Sequence, residues 1–338
     1  MIEIYRVCFR VGALLAALVT PSAAYPEPSS AERCTPRVAS ANVVNVKDKG
    51  ALGNGRSNDT AAIQAAIDAV AGSGGTVVVP DGVYLIDAVK APRLSLGKDM
   101  TFKMSEGATL KVIANNSTHY DVLTISGVSD VTVLGGTLEG DRDAHRGKGG
   151  EFGYGLNIIN AENITVVGVT SKKMWGDGFF VHKGKHISFC SVIADQNRRQ
   201  GLSVIDADNL LVTRSTFSNT GGTAPGAGID LEPNVPTELV TNVRITHSKF
   251  LNNRGGGILI YGHKSFRNVA NVEISRNLFM GVSPIRIKYA PGVVDAAICK
   301  NRYIAPRPEH SGLSPYPTVA EAGVFQSDCG DPRLQKRR

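Results

Sequence analysis

The chain is poor in the residues that many cores and most nucleic-acid surfaces rely on. It has one tryptophan in 338 residues, aromatics make up 6% and charged residues 20%. No stretch interleaves aromatic and basic residues into a base-stacking platform, which argues against nucleic acid as a partner. None of the five cysteines forms a CxxC pair or a Cys/His cluster, so a zinc site is not expected. The apolar run Val11 to Val19 is too short to span a bilayer comfortably. Glycine, by contrast, is plentiful, with 37 residues alongside 16 prolines. Glycine-rich turns between short β-branched stretches point to an all-β repeat architecture rather than to disorder.

Arg6 and Arg10 precede that apolar run, and Ser22-Ala23-Ala24 supplies small residues at a cleavage site. Residues 1–24 therefore read as a secretory signal peptide and 25–40 as a flexible leader, so the expected location is secreted or periplasmic, with no membrane span in the mature chain. Cys34, Cys190, Cys299 and Cys329 remain after cleavage, which permits two disulfides in any of three pairings. Cys299 with Cys329 is the first expectation, because it would tie down the tail. The formal charge of +7 falls by one on cleavage, since two arginines and one glutamate leave. That moderate basicity suits an anionic partner.

The dominant pattern is a repeat. Gly178-Phe-Phe-Val181, Gly201-Leu-Ser-Val204, Gly228-Ile-Asp-Leu231, Gly257-Ile-Leu-Ile260 and Pro284-Ile-Arg-Ile287 each have a companion phrase, respectively Ile164-Thr-Val166, Ile187-Ser-Phe189, Leu210-Leu-Val212, Val243-Arg-Ile245 and Val272-Glu-Ile274. Alternating apolar residues are the period of a strand with one buried face. Their recurrence every 23 residues or so, stretched only by insertions, predicts a solenoid of stacked parallel strands forming one domain over 41–298, followed by an irregular cap and tail over 299–338. Phe179 and Val181, with their counterparts in later coils, should fill the core. Ile63, Ile67 and Val70 follow a helical period instead, with Asn58 or Asp59 to cap the start and Gly72 the end. This helix is expected to cap the first coil.

Gly50-Ala-Leu-Gly-Asn-Gly55, Asn58-Asp-Thr-Ala-Ala-Ile-Gln-Ala-Ala-Ile67, Gly74-Gly-Thr-Val-Val-Val-Pro80 and Gly82-Val-Tyr84 resemble the opening of pectin-lyase-like proteins. The resemblance covers roughly residues 42–290. It implies a right-handed parallel β-helix and carbohydrate chemistry, as in polygalacturonases, pectate lyases, alginate epimerases and phage tailspikes. It leaves the reaction open, because that fold hosts several chemistries.

Insertions locate the working face. Asp141 to Lys148, Gly221 to Ala224, Pro233 to Glu238 and Gly262 to Arg267 all flank the strand row that begins with the repeated glycine. Loops rising on both sides of one row make a groove suited to a linear polymer. One outward column should run Asn157, Phe180, Ser203, Asp230, Leu259, Arg286, and the next Ile159, His182, Ile205, Glu232, Tyr261, Lys288. Asp177, Arg198 and Arg199 should reach the groove from the preceding turns.

Asp230 and Glu232, at i and i+2 on one strand, have Cα atoms roughly 7 Å apart and are the expected acid and base. That spacing is compatible with the carboxyl separations of both inverting and retaining glycosidases. Arg286-Ile-Lys288 resembles the Arg-Ile-Lys motif with which polygalacturonases hold a substrate carboxylate, and Trp175-Gly-Asp177-Gly resembles their Asn-Thr-Asp-Gly strand, which carries over Asp177 as a further acid. Two features depart from that family: Arg199-Gln200 stands where paired aspartates are found there, and Gly226-Ala-Gly228 where Gly-His-Gly is found. Trp175 could stack on a sugar or pack under a loop.

The favoured reading is hydrolysis of an acidic polysaccharide by Asp230, Glu232 and Asp177, with Arg286, Lys288, Tyr261, His182, His263, Arg199 and Trp175 contacting substrate and no cofactor. Elimination or C5 epimerisation of a uronate is the alternative. There Lys288, Arg286, Tyr261, His182 and His263 could neutralise the carboxylate and abstract the proton, and calcium on Asp177, Asp230 or Glu232 could assist. A non-catalytic glycan-binding or adhesion β-helix is the third.

Overall fold

The computed structural model describes residues 34–35, 42–281, 283–288, 290–304 and 324–325. Residues 1–24 expected as a signal peptide, most of the expected leader, Cys329 and the basic C-terminus lie outside these residues. Strands pair in parallel into a sixteen-stranded and a ten-stranded sheet, and successive coils contribute successive strands. The chain is an all-β parallel solenoid, and Thr60–Asp68 is its one α-helix among the described residues. No helix among the described residues is long and apolar enough to cross a membrane.

The repeated phrases form the solenoid's interior. Phe179, Val181, Leu202, Val204, Ile229, Leu231, Ile258, Ile260 and Ile285 are fully buried, and Ile287 nearly so. Ile63, Ile67 and Val70 of the helical segment join the same apolar column. Asn58, rather than Asp59, satisfies the helix start by accepting from the Thr60 amide at 3.1 Å. Asp59 instead accepts from the Leu52 and Gly53 amides. The helix ends at Asp68, before Gly72.

The repeated glycine has a steric cause. A Cβ on Gly155, Gly178, Gly201 or Gly228 would stand 2.5, 2.8, 2.4 or 2.6 Å from the carbonyl oxygen of the next glycine in the series. Each coil thus presses its backbone where the coil before it has no side chain.

Phe152–Val167, Phe179–Cys190 and Leu202–Thr213 run unbroken through two strand rows of the larger sheet. In the next coil the segment from Glu232 to Leu239 separates Ala227–Leu231 from Val240–Thr246. A disulfide joins Cys34 to Cys190, both buried with Leu211 in a small cluster apart from the main core. Cys299 is also disulfide-bonded.

Candidate active site

The expected outward column forms, with Asn157 beside Phe180, Phe180 beside Ser203, Ser203 beside Asp230, Asp230 beside Leu259 and Leu259 beside Arg286. The second column needs a correction. A register shift after Val181 pairs His182 with Asp206 and leaves Ile205 unpaired and buried, and the register returns where Gly184 faces Ala207. The bulge re-aims the chain locally beside the outward column.

Coverage differs from expectation as well. Asp177, Ser203 and Asp230 are wholly buried and Leu259 is 4% exposed, so the middle of the column is a floor under other side chains. Arg199 is the principal cover. Its Nη1 donates to Asp177 Oδ2 at 3.0 Å and to Ser203 Oγ at 3.2 Å, its Nη2 to Glu232 Oε2 at 3.3 Å and its Nε to Glu151 Oε2 at 3.1 Å. Three carboxylates from separate coils therefore share one guanidinium. Ser203 completes the Asp177 contact by donating to Oδ2 at 2.9 Å.

Asp230 is held differently. Gln200 Nε2 donates to its Oδ2 at 2.6 Å, while Gln200 Oε1 accepts from the Ala227 amide at 2.8 Å. Burial, and then the negative charge of neighbouring Glu232, push the Asp230 carboxyl well above the ordinary range. Burial also pushes Asp177 up, to about 6, although Arg199 opposes the shift. One cation faces four crowded acids and does not contact Asp230 directly, which leaves burial and the Glu232 charge to raise that carboxyl. An acid raised in this way, two residues from a second carboxyl just past the end of its strand, can give a proton to one side of a bound group while its neighbour takes one on the other.

Other expected contacts lie further away. Arg286 and Lys288 are exposed two coils on; Arg286 Nη1 donates to the Gly255 carbonyl at 3.2 Å, and Lys288 Nζ lies 5.0 Å from the Tyr261 ring centre. His182 Nε2 is 3.3 Å from Glu238 Oε1. His263 stacks on Phe266 at 3.6 Å within the loop after Tyr261. Trp175 packs under the inserted loop: its ring stacks on His145 at 3.9 Å, the Arg198 guanidinium lies 4.0 Å from the ring centre, and Nε1 donates to the Gly149 carbonyl. Among the described residues no three His, Cys, Asp or Glu side chains converge as metal ligands, and Arg199 already occupies Asp177 and Glu232.

Glu151, Tyr154 and the holding role of Gln200 were not legible as site features. Glu151 ends the long insertion, which is the one signal that could have flagged it. Gln200 reads in sequence only as a missing acid, whereas in the fold it orients Asp230.

Residues 43–91 match the family model described as rhamnogalacturonase A/epimerase, pectate lyase-like, and residues 104–279 match the right-handed β-helix region. The second match spans more than half of the chain, which belongs to that right-handed β-helix family. Mannuronan C5-epimerase AlgE3 of Azotobacter vinelandii is 35% identical over 199 residues, covering 53% of this chain and 10% of its own. The solved surface protein and adhesin PfbA of Streptococcus pneumoniae superposes with a TM-score of 0.62 at 19% identity, covering 77% of each chain. The family 28 exopolygalacturonase of Yersinia enterocolitica superposes at 0.57 with 14% identity, covering 78% of this chain and 66% of that one. At these identities the two structures share the fold. The chain spans less than half the length of the curated relatives it matches, 46%, 41% and 10% for the first three.

Proposed function

We propose that the protein is an exported enzyme that hydrolyses glycosidic bonds of an anionic polysaccharide lying along the groove. The observation that carries this reading is the pair Asp230 and Glu232, one carboxyl wholly buried near the end of its strand and the other just past that end against Arg199. Asp230 gives its proton to the leaving glycosidic oxygen as the anomeric C–O bond breaks. Glu232 takes a proton from the water whose oxygen bonds to the anomeric carbon. Because Asp230 is covered in the free protein, a sugar in the groove must draw Glu232 away from Arg199 and uncover it. Asp177 contributes a second buried carboxyl that holds Arg199 in place. Arg286 and Lys288 grip substrate carboxylates further along.

Elimination or C5 epimerisation of a uronate is the second reading, favoured by the 35% identity to a mannuronan C5-epimerase over half of this chain. Incubation with a panel of acidic polysaccharides separates them. New reducing ends without the ultraviolet absorbance of an unsaturated uronate support hydrolysis. A rise in that absorbance means elimination, and an altered uronate ratio without chain scission means epimerisation. Binding with no product would assign the groove to adhesion. Full activity of both Asp230→Asn and Glu232→Gln would refute the site.

A further inference from the structure

Towards its N-terminal end the groove carries an arrangement that the carboxylate cluster does not use. His119 and Phe152 are register partners on neighbouring coils, with ring centres 6.3 Å apart. Tyr154 stands edge-on to both, at 5.9 and 6.4 Å, and stacks on Phe180 at 4.5 Å with 12° between the planes. In a chain with 6% aromatics, three of them and a histidine ring meet in one place. Two of them stay open to water: Phe152 is 44% exposed and the His119 side chain 51%. A soluble surface rarely gathers rings in this way without a ligand for them.

A second, independent observation lies at the foot of these rings. Asn157, register partner of Phe180, is 2% exposed, and its Nδ2 donates to Asp121 Oδ1 at 3.0 Å. Its Oδ1 is buried and has no hydrogen-bond partner. A buried carbonyl oxygen without a donor is costly, and a sugar hydroxyl is such a donor. The acids nearby, Asp121, Glu151 and Asp177, outnumber the cations Arg93 and Arg199, of which Arg199 is already paired with Glu151 and Asp177, and His119 Nε2 lies 3.8 Å from Asp121 Oδ2.

Resting on the reading that the groove holds a glycan, we propose that His119, Phe152, Phe180 and Asn157 form a subsite for a neutral pyranose ring. The ring's apolar face lies on the aromatics and a hydroxyl donates to Asn157 Oδ1. A uronate is disfavoured here, because its carboxylate would face Asp121 and Glu151. Five coil steps separate Asn157 from Arg286, roughly 24 Å at the spacing of stacked strands. The groove therefore reads its polymer with a direction: neutral ring at the N-terminal end, carboxyl chemistry in the middle, anionic groups at the C-terminal end. The substrate class that fits is a heteropolysaccharide carrying both neutral and acidic residues.

Saturation-transfer NMR with neutral methyl glycosides (glucoside, galactoside, rhamnoside) on the full chain tests this directly. The wild type should transfer saturation to at least one neutral glycoside and more weakly to a methyl galacturonoside. Phe152→Ala should weaken that binding about tenfold. His119→Ala, at an exposed position and so insulated from folding effects, should weaken it in the same direction. Each variant's thermal midpoint is checked against the wild type. Equal transfer in the wild type and both variants, or no transfer to neutral glycosides while acidic polysaccharides are still cleaved, overturns the subsite and leaves the hydrolase reading standing. Failure to bind or turn over any acidic polysaccharide overturns the hydrolase reading, and the subsite falls with it.

Discussion

The ten-stranded sheet and the loop-flanked strand row belong to the same coils but are built differently. From Thr137 onward the ten-stranded sheet uses three-residue strands that stay in register through Ile304. Its interior repeats one ring per coil, with Phe217, Phe250, Phe279 and Tyr303 stacked 5.4, 4.8 and 5.5 Å apart. The strand row has a register shift at His182, buried acids at Asp177 and Asp230, and a guanidinium shared among three carboxylates. Repetition serves stability, and the coils depart from it where chemistry is expected.

The sharpest way to break this contrast is to remove the acids. Asp230→Asn and Glu232→Gln should each lower kcat about a thousandfold, measured as reducing ends released, with thermal midpoints near the wild type. Phe250→Ala should do the reverse. Emptying a fully packed ring position should cost about 3–5 kcal/mol in denaturant unfolding and leave KM unchanged at the folded protein's working temperature. If that variant lost affinity for polymer instead, the division between the two regions would fail.

Acidity offers a subtler test. Asp177 titrates near 6 in the fold, against about 3.9 for an ordinary aspartate. Between those values the folded state keeps a proton that the unfolded chain has released. Asp177 therefore favours folding below about pH 4, and that contribution is lost as pH rises through 6, amounting to at most about 3 kcal/mol. Asp230 shifts in the same direction. Denaturant midpoints of the wild type should thus fall relative to those of Asp177→Asn between pH 4.5 and 7, and parallel curves would contradict the assignment. The smallest effect belongs to the exposed cations. Arg286→Ala with Lys288→Ala should raise KM for an acidic polymer about fivefold at low salt, and the difference should vanish by roughly 0.5 M salt, where surface charges are screened.

Much of the scaffold was legible because alternation is local. Phe179 and Val181, or Ile258 and Ile260, declare their inward faces within four residues, and coil-to-coil alignment then gave the column from Asn157 to Arg286. Trp175 was not decided this way, since its partners His145, Gly149 and Arg198 come from an inserted loop and the following coil. Ile205 was misplaced because a local bulge takes it out of the pairing before the register returns at Ala207, and nothing in Val204-Ile205-Asp206 marks one.

The sequence by itself determined the parallel β-solenoid, its inner stacks and the face on which insertions gather, because each follows from a two-residue period repeated along the chain. Only the tertiary structure decided that Asp177 and Asp230 are covered, that Gln200 rather than a second acid holds Asp230, and that Arg199 joins Glu151, Asp177 and Glu232 across 48, 22 and 33 residues of chain. Burial and charge pairing depend on which side chains meet across coils. No local pattern records such meetings.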